Sequence, residues 1–173
     1  NVSQGRINQF LNTPSAIQDE GTKDGRIQGQ LTFEHVGFTY PDSGIQALED
    51  MHFNIRPGQK VAIIGRTASG KSTIADLILR MYEPTSGRIL MDGVPLRDYA
   101  LQSLRDNIAY VPQDVFLFSD TIEANIRFGR PEATLEEVER YARYAAVYDD
   151  IMGLPDGFQT RIGERGITLS GGQ

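Results

Sequence analysis

An α/β fold is predicted from three features of the sequence. Apolar and aromatic residues between Leu31 and Ile55 set an antiparallel β piece. An apolar tetrapeptide, Val61 to Ile64, runs straight into a glycine-rich loop and then a helical period. A second helical period dominates residues 121–148. The expected order is a β subdomain, then an α/β core, then a helical subdomain.

Ahead of the domain, Val2, Ile7, Phe10 and Leu11 fall on a loose helical stripe. Pro14 ends it, because the ring removes a helical donor and restricts Thr13. Residues 17–30 carry charges and glycines with few apolar anchors, which is the composition of a linker. Residues 1–30 are therefore read as a leading helix and linker, and residues 31–173 as the domain.

Leu31, Phe33, Val36, Phe38 and Tyr40 predict a strand, turned by Pro41 to Gly44 into a second strand from Ala47 to Ile55. Arg56 to Gln59 makes a further turn. Val61 to Ile64 is apolar on every side, the pattern of a strand buried on both faces of a parallel sheet. After the glycine loop, Ile74, Leu77, Ile78 and Met81 recur at helical spacing until Glu83-Pro84. A short strand at Arg88 to Met91, a turn at Asp92-Gly93, a helix over Leu101 to Asp106 and a strand at Ile108 to Val111 follow. Helices are expected over Thr121 to Phe128 and Thr134 to Tyr148, the latter with Leu135, Val138, Tyr141, Ala142 and Ala145 on one face.

Composition narrows the function classes. With 39 % apolar and 23 % charged residues, a chain of 173 residues supports a domain with a real core. Seventeen basic against 23 acidic residues give a net charge of −6, so a nucleic-acid partner is not expected. There is no cysteine, which excludes disulfides and thiolate metal sites. Apolar runs are a few residues long, against the roughly 20 that span a bilayer. The polar stretch Asn1 to Gln9 is no signal peptide. The first residue is not Met, as expected of a piece cut from a longer chain.

Gly65, Gly70, Lys71 and Ser72 fit G-x-x-x-x-G-K-[ST] without a mismatch, between the apolar tetrapeptide and the helical period. In such a P-loop, glycines let the backbone curl its N–H groups inward at phosphate oxygens. The following helix offers its positive N-terminus to the same anion. The whole stretch, Gly65, Arg66, Thr67, Ala68, Ser69, Gly70, Lys71, Ser72 and Thr73, is thus a candidate phosphate site and the core a P-loop NTPase core. Lys71 should reach the β- and γ-phosphates, and the Ser72 hydroxyl should ligate Mg²⁺. Phosphate contacts never touch the base, so GTPase, ATPase and kinase stay open here.

Further stretches, in order, resemble the ATP-binding domain of ABC transporters over residues 31–173. Tyr40 in "FTYP" stands where that family has an aromatic on adenine, although a strand-end tyrosine packing against its turn is the plainer alternative. Gln113 in "VPQDVFLF" matches the Q-loop, whose amide touches Mg²⁺ or the attacking water. "LSGGQ", residues 169–173, matches the family signature, in which Ser170, Gly171, Gly172 and Gln173 meet the γ-phosphate held by a second subunit. "LFSDTIEANI" and "TRIGERG" are similar to the exporter branch, resembling lipid A and multidrug exporters.

The resemblance implies ATP and Mg²⁺ as cofactors and a second ATP-binding domain, in a homo- or heterodimer, as partner. It also implies a transmembrane permease domain and a place on the cytoplasmic face of the bacterial plasma membrane. The family sets its Mg²⁺-orienting Asp, catalytic Glu and switch His after the signature. Neither His35 nor His52 stands in for that His, so residues 1–173 alone are expected to bind nucleotide weakly and hydrolyse little. Two other functions remain open: a non-hydrolysing nucleotide switch in a heterodimeric exporter, and a soluble ABC ATPase.

Overall fold

The computed structural model describes residues 4, 7, 11, 15, 17–112 and 116–163. Two compact units divide the chain, residues 1–109 and 110–173. In the first, strands β1 (Leu31–Thr39), β2 (Gln46–Ile55), β3 (Ser86–Met91) and β4 (Val94–Pro95) form one antiparallel sheet in the order β2-β1-β3-β4. Helix α1 (Lys71–Ile78) follows the glycine loop, and α2 (Leu101–Asp106) follows a short 3-10 turn at Leu96–Asp98. Gln4, Ile7 and Leu11 of the expected leading helix are helical, while Val2 and Phe10 lie outside the described residues.

The core of this unit gathers Phe33, Val36, Phe38, Leu48, Ile74, Leu77 and Leu104. Phe33 is fully buried and stacks on its strand partner Phe53, with ring centroids 4.4 Å apart. Along β1 the inward residues change phase between Phe33 and Val36, which a bulge at His35 (φ 51°) accomplishes. A matching bulge in β2 sets Asp50 at φ 47°, and the His35 ring Nδ1 lies 2.6 Å from its carboxylate. One extra residue in a strand re-aims every later side chain. Both histidines are exposed, with rings 5.0 Å apart.

Residues 17–30 are tied to the sheet side of the unit by hydrogen bonds. The Asp92 carboxylate accepts from the N–H groups of Gln28, Gly29 and Gln30 at 2.6, 3.0 and 2.8 Å. The N–H groups of Thr22 and Lys23 donate to the Asp98 carbonyl, and Asp19 accepts from Leu101 N–H. A Cβ on Gly21 would sit 2.0 Å from the Tyr99 carbonyl oxygen, so only glycine permits this approach. Linker composition here hides a backbone-bonded strap.

Two expected strands are not formed. Residues 61–64 pair with no described strand, and Val61, Ile63 and Ile64 are 49, 48 and 94 % exposed. A strand buried on both faces needs a paired neighbour on each edge, and among the described residues none pairs with this segment. Its apolar side chains instead line an open groove with Met51, Phe53 and Ile55. Ile108 to Val111 is likewise unpaired, with Val111 86 % exposed.

In the second unit, α3 (Ile122–Arg127), α4 (Leu135–Tyr144) and α5 (Tyr148–Met152) pack around Ile122, Val138, Ala142, Ile151, Phe158 and Ile162. Thr121 caps α3 through the Ala124 N–H, and Thr134 with Glu137 forms a capping box on α4. The helix expected to continue to Tyr148 ends at Tyr144, because Ala146 turns to φ 58°. Its buried side is Val138 and Ala142, whereas Leu135, Tyr141 and Ala145 are exposed.

Candidate nucleotide site

The site is built where α1 leaves the glycine loop. Gly70 is the N-cap of α1 at φ 82°, a conformation glycine adopts without the Cβ penalty. A Cβ there would meet the Ala47 carbonyl oxygen at 2.5 Å, so the end of the loop is pressed against β2. Ala68 adopts φ 62° without being glycine, the kind of local strain that clusters at ligand clamps. A Cβ on Gly65 would fall 2.5 Å from the Ser69 hydroxyl, so the loop closes tightly on itself.

The arrangement fits an anion. No side chain caps α1, and no acidic residue stands in its first turn. The first N–H groups of a helix have no partner within the helix and carry partial positive charge, so a phosphate suits them. Lys71 lies across the inside of the loop, donating to the carbonyls of Gly65 at 2.9 Å and Arg66 at 2.6 Å. Its contact with the Ser69 hydroxyl, 3.4 Å, is at the weak edge of hydrogen bonding. An ammonium has three donors, and the one held by Ser69 is the weakest engaged and the one a phosphate oxygen would take over. Ser72 is exposed in the first turn, and a hydroxyl oxygen there is the hard donor that suits Mg²⁺.

Tyr40 and Thr73 meet directly. The Tyr40 hydroxyl is 2.9 Å from Thr73 Oγ1, and Thr73 is 4 % exposed. That bond ties the end of β1 to the first turn of α1. The Tyr40 ring is half-buried and meets Phe38 and Tyr82 edge-on, so the packing role and a place beside the loop hold together. Arg66, Thr67 and Ser69 are exposed along the loop. Gln113, Ser170, Gly171, Gly172 and Gln173 lie outside the described residues, as do the last residues of "TRIGERG".

Sequence reasoning missed the far end of α1. Arg80, 3 % exposed, follows the helix at φ 50°, and its guanidinium donates to Glu83, to the Tyr99 carbonyl and to the Gln18 carbonyl. Arg105 donates to the carbonyls of Leu79 and Arg80, both at 3.1 Å. Two cations thus serve the negative end of a helix whose positive end faces the loop. The available signal was an arginine directly after an apolar helical run. Within α1, burial raises the Asp76 carboxyl above its usual value.

A strand-side tyrosine, a tightly closed P-loop and an uncapped helix define a nucleotide-binding domain of the P-loop kind. The profile of the ABC transporter family matches residues 48–173, and the chain belongs to that family. It is 44 % identical over 172 residues to the uncharacterized ABC transporter ATP-binding protein YfiB of Bacillus subtilis, covering 99 % of this chain and 30 % of that protein. Against the ATP-dependent lipid A-core flippase of Chromobacterium violaceum it is 46 % identical, covering 95 % of this chain and 28 % of the relative. A solved structure of a bacterial Atm1-family ABC exporter with ATP bound superposes with a TM-score of 0.90 at 39 % identity, over 99 % of this chain and 30 % of that one. The fold is that of an ABC ATP-binding domain. The chain spans less than a third of these relatives' lengths.

Proposed function

We propose that this chain is the ATP-binding domain of an ABC exporter. The observation that carries the reading is the uncapped N-terminus of α1 under a P-loop across whose inner side Lys71 lies, one of its donors held only weakly by Ser69. The relatives' names, a flippase and an exporter with ATP bound, support export over other ABC roles. In this reading the N–H groups of Ala68 to Ser72 hold the β- and γ-phosphates, and Lys71 adds a positive charge between them. Bound Mg²⁺, held by the Ser72 hydroxyl with the Gln113 amide, would offset the phosphates' charge. Tyr40 receives the adenine from the end of β1.

Ser170, Gly171 and Gly172 of one subunit cap the γ-phosphate held in the loop of another, so ATP joins two ATP-binding domains. Loss of the γ-phosphate then loosens the pair. Hydrolysis belongs to the full-length protein, with residues 1–173 alone nearly inactive. The permease partner, the bacterial plasma membrane and the boundary between residues 1–30 and 31–173 are parts of the same proposal.

Calorimetric titration of the full-length protein with Mg-ATP tests it. Hydrogen bonds to charged groups contribute about 1.5–3 kcal/mol. Lys71→Ala should therefore weaken ATP roughly 10- to 150-fold while leaving the unfolding midpoint nearly unchanged. Equal affinity for wild type and variant would overturn the reading.

A further inference from the structure

The C-terminal end of α1 is held more elaborately than a short helix requires. Its last turn closes with the Met81 N–H on the Asp76 carbonyl and the Arg80 N–H on the Leu77 carbonyl, the Schellman pattern in which the left-handed residue is ordinarily glycine. Here that residue is Arg80, at φ 50° and with its side chain 4 % exposed. The backbone there favours glycine, so the contacts of the arginine side chain offset a strained conformation. It bonds Glu83 at 2.9 Å, the Tyr99 carbonyl at 3.4 Å and the Gln18 carbonyl at 3.1 Å.

Each of those partners sits in a different part of the unit. Gln18 begins the strap, which continues through Thr22 and Lys23 to the Asp98 carbonyl, with the Ala100 N–H donating back to Lys23. Tyr99 anchors the segment before α2 by donating its buried hydroxyl to the Met91 carbonyl. Arg105 from α2 closes on the Leu79 and Arg80 carbonyls. A planar fork with its donors in fixed directions can hold several carbonyls at once, as a lysine cannot.

We infer that Arg80 is a positioning residue for the phosphate loop: its guanidinium clasps the strap to the far end of α1, so that nucleotide binding at one end of the helix and docking of the strap at the other are thermodynamically coupled. The helix is about 12 Å long at 1.5 Å per residue, short enough to move as one rigid piece. Seating a phosphate fixes the orientation of α1, which fixes Arg80 and steadies the Gln18 to Lys23 stretch. Coupling must run both ways, so a loosened strap weakens nucleotide binding. The inference rests on the ATP-binding reading above.

The test measures hydrogen exchange at the Thr22 and Lys23 amides in the full-length protein, with and without Mg-ATP, alongside ATP affinity by titration in the same samples. Wild type should show exchange at these amides slowed roughly 5- to 150-fold by saturating ATP, the usual span of site-to-site coupling. Arg80→Met should abolish that slowing and weaken ATP several-fold. Arg80→Lys keeps the charge in a milder substitution and should also lose the slowing, because it lacks the fork; it decides the matter where Arg80→Met does not fold. Bound ATP that leaves wild-type exchange unchanged overturns the coupling alone, as does slowing that persists in Arg80→Lys. ATP that fails to bind the wild type overturns the nucleotide reading and the coupling together.

Discussion

Leu31–Thr39 and residues 61–64 both read as strands in the sequence, and they meet opposite fates. The first becomes an inner strand of the sheet, paired on both edges, with Phe33 and Val36 fully buried. The second pairs with nothing described, and Ile64 stands 94 % exposed at the entrance to the phosphate loop. Hydrophobicity is a property of the side chain, but burial is a property of the neighbours. Damage to the first region should therefore cost stability, and damage around the second should cost ligand binding.

The largest effect expected is at the centre of β1. Phe33→Ala deletes a fully buried ring stacked on Phe53 and leaves a cavity in the core of the first unit. Large-to-small changes of this kind cost about 3–5 kcal/mol, which denaturant unfolding of this chain would read as a lowered midpoint with an unchanged slope. A loss below about 1 kcal/mol would mean that the core repacks or that β1 is no more decisive than residues 61–64.

An intermediate effect is expected where the phosphate loop meets the sheet. Gly70→Ala puts a methyl 2.5 Å from the Ala47 carbonyl of β2 at a residue held at φ 82°. Strained backbone costs on the order of 1–3 kcal/mol, and the loop must tilt to relieve the clash. Both the unfolding midpoint and ATP affinity should fall together. A variant with normal affinity and lowered stability would separate the loop from the sheet and blur the contrast drawn here.

How much was legible beforehand differs along the same line. The β1–β2 hairpin, α1, β3 and both capped helices of the second unit follow from local period and turn chemistry, which act within a few residues of one another. The bulge at His35 was also written in the sequence, because inward residues run 31, 33, then 36, 38: the spacing slips by one. The P-loop was legible because each residue there has a local task. Legibility failed wherever the outcome depends on distant partners. Nothing local tells that the charged stretch at 17–30 will be bonded by Asp92 and Asp98, or that Arg80 will be buried by Gln18 and Tyr99. Residues 61–64 read as a buried strand for the same reason, since the period reports what a segment could pair with and not what lies beside it.

The smallest effect is the sharpest control. Ile64→Ser replaces a side chain that is 94 % exposed, so little apolar area returns to water on unfolding and the loss should stay within about 0.5 kcal/mol. Equilibrium unfolding of this chain at two protein concentrations would check it. A larger loss that grew with concentration would show that the groove lined by Met51, Phe53, Ile55, Val61 and Ile63 is covered by a second copy in solution. A larger loss independent of concentration would place the tetrapeptide under cover within one chain. In either case the exposed run would be buried after all, and the difference between it and β1 would reduce to which partner each one finds.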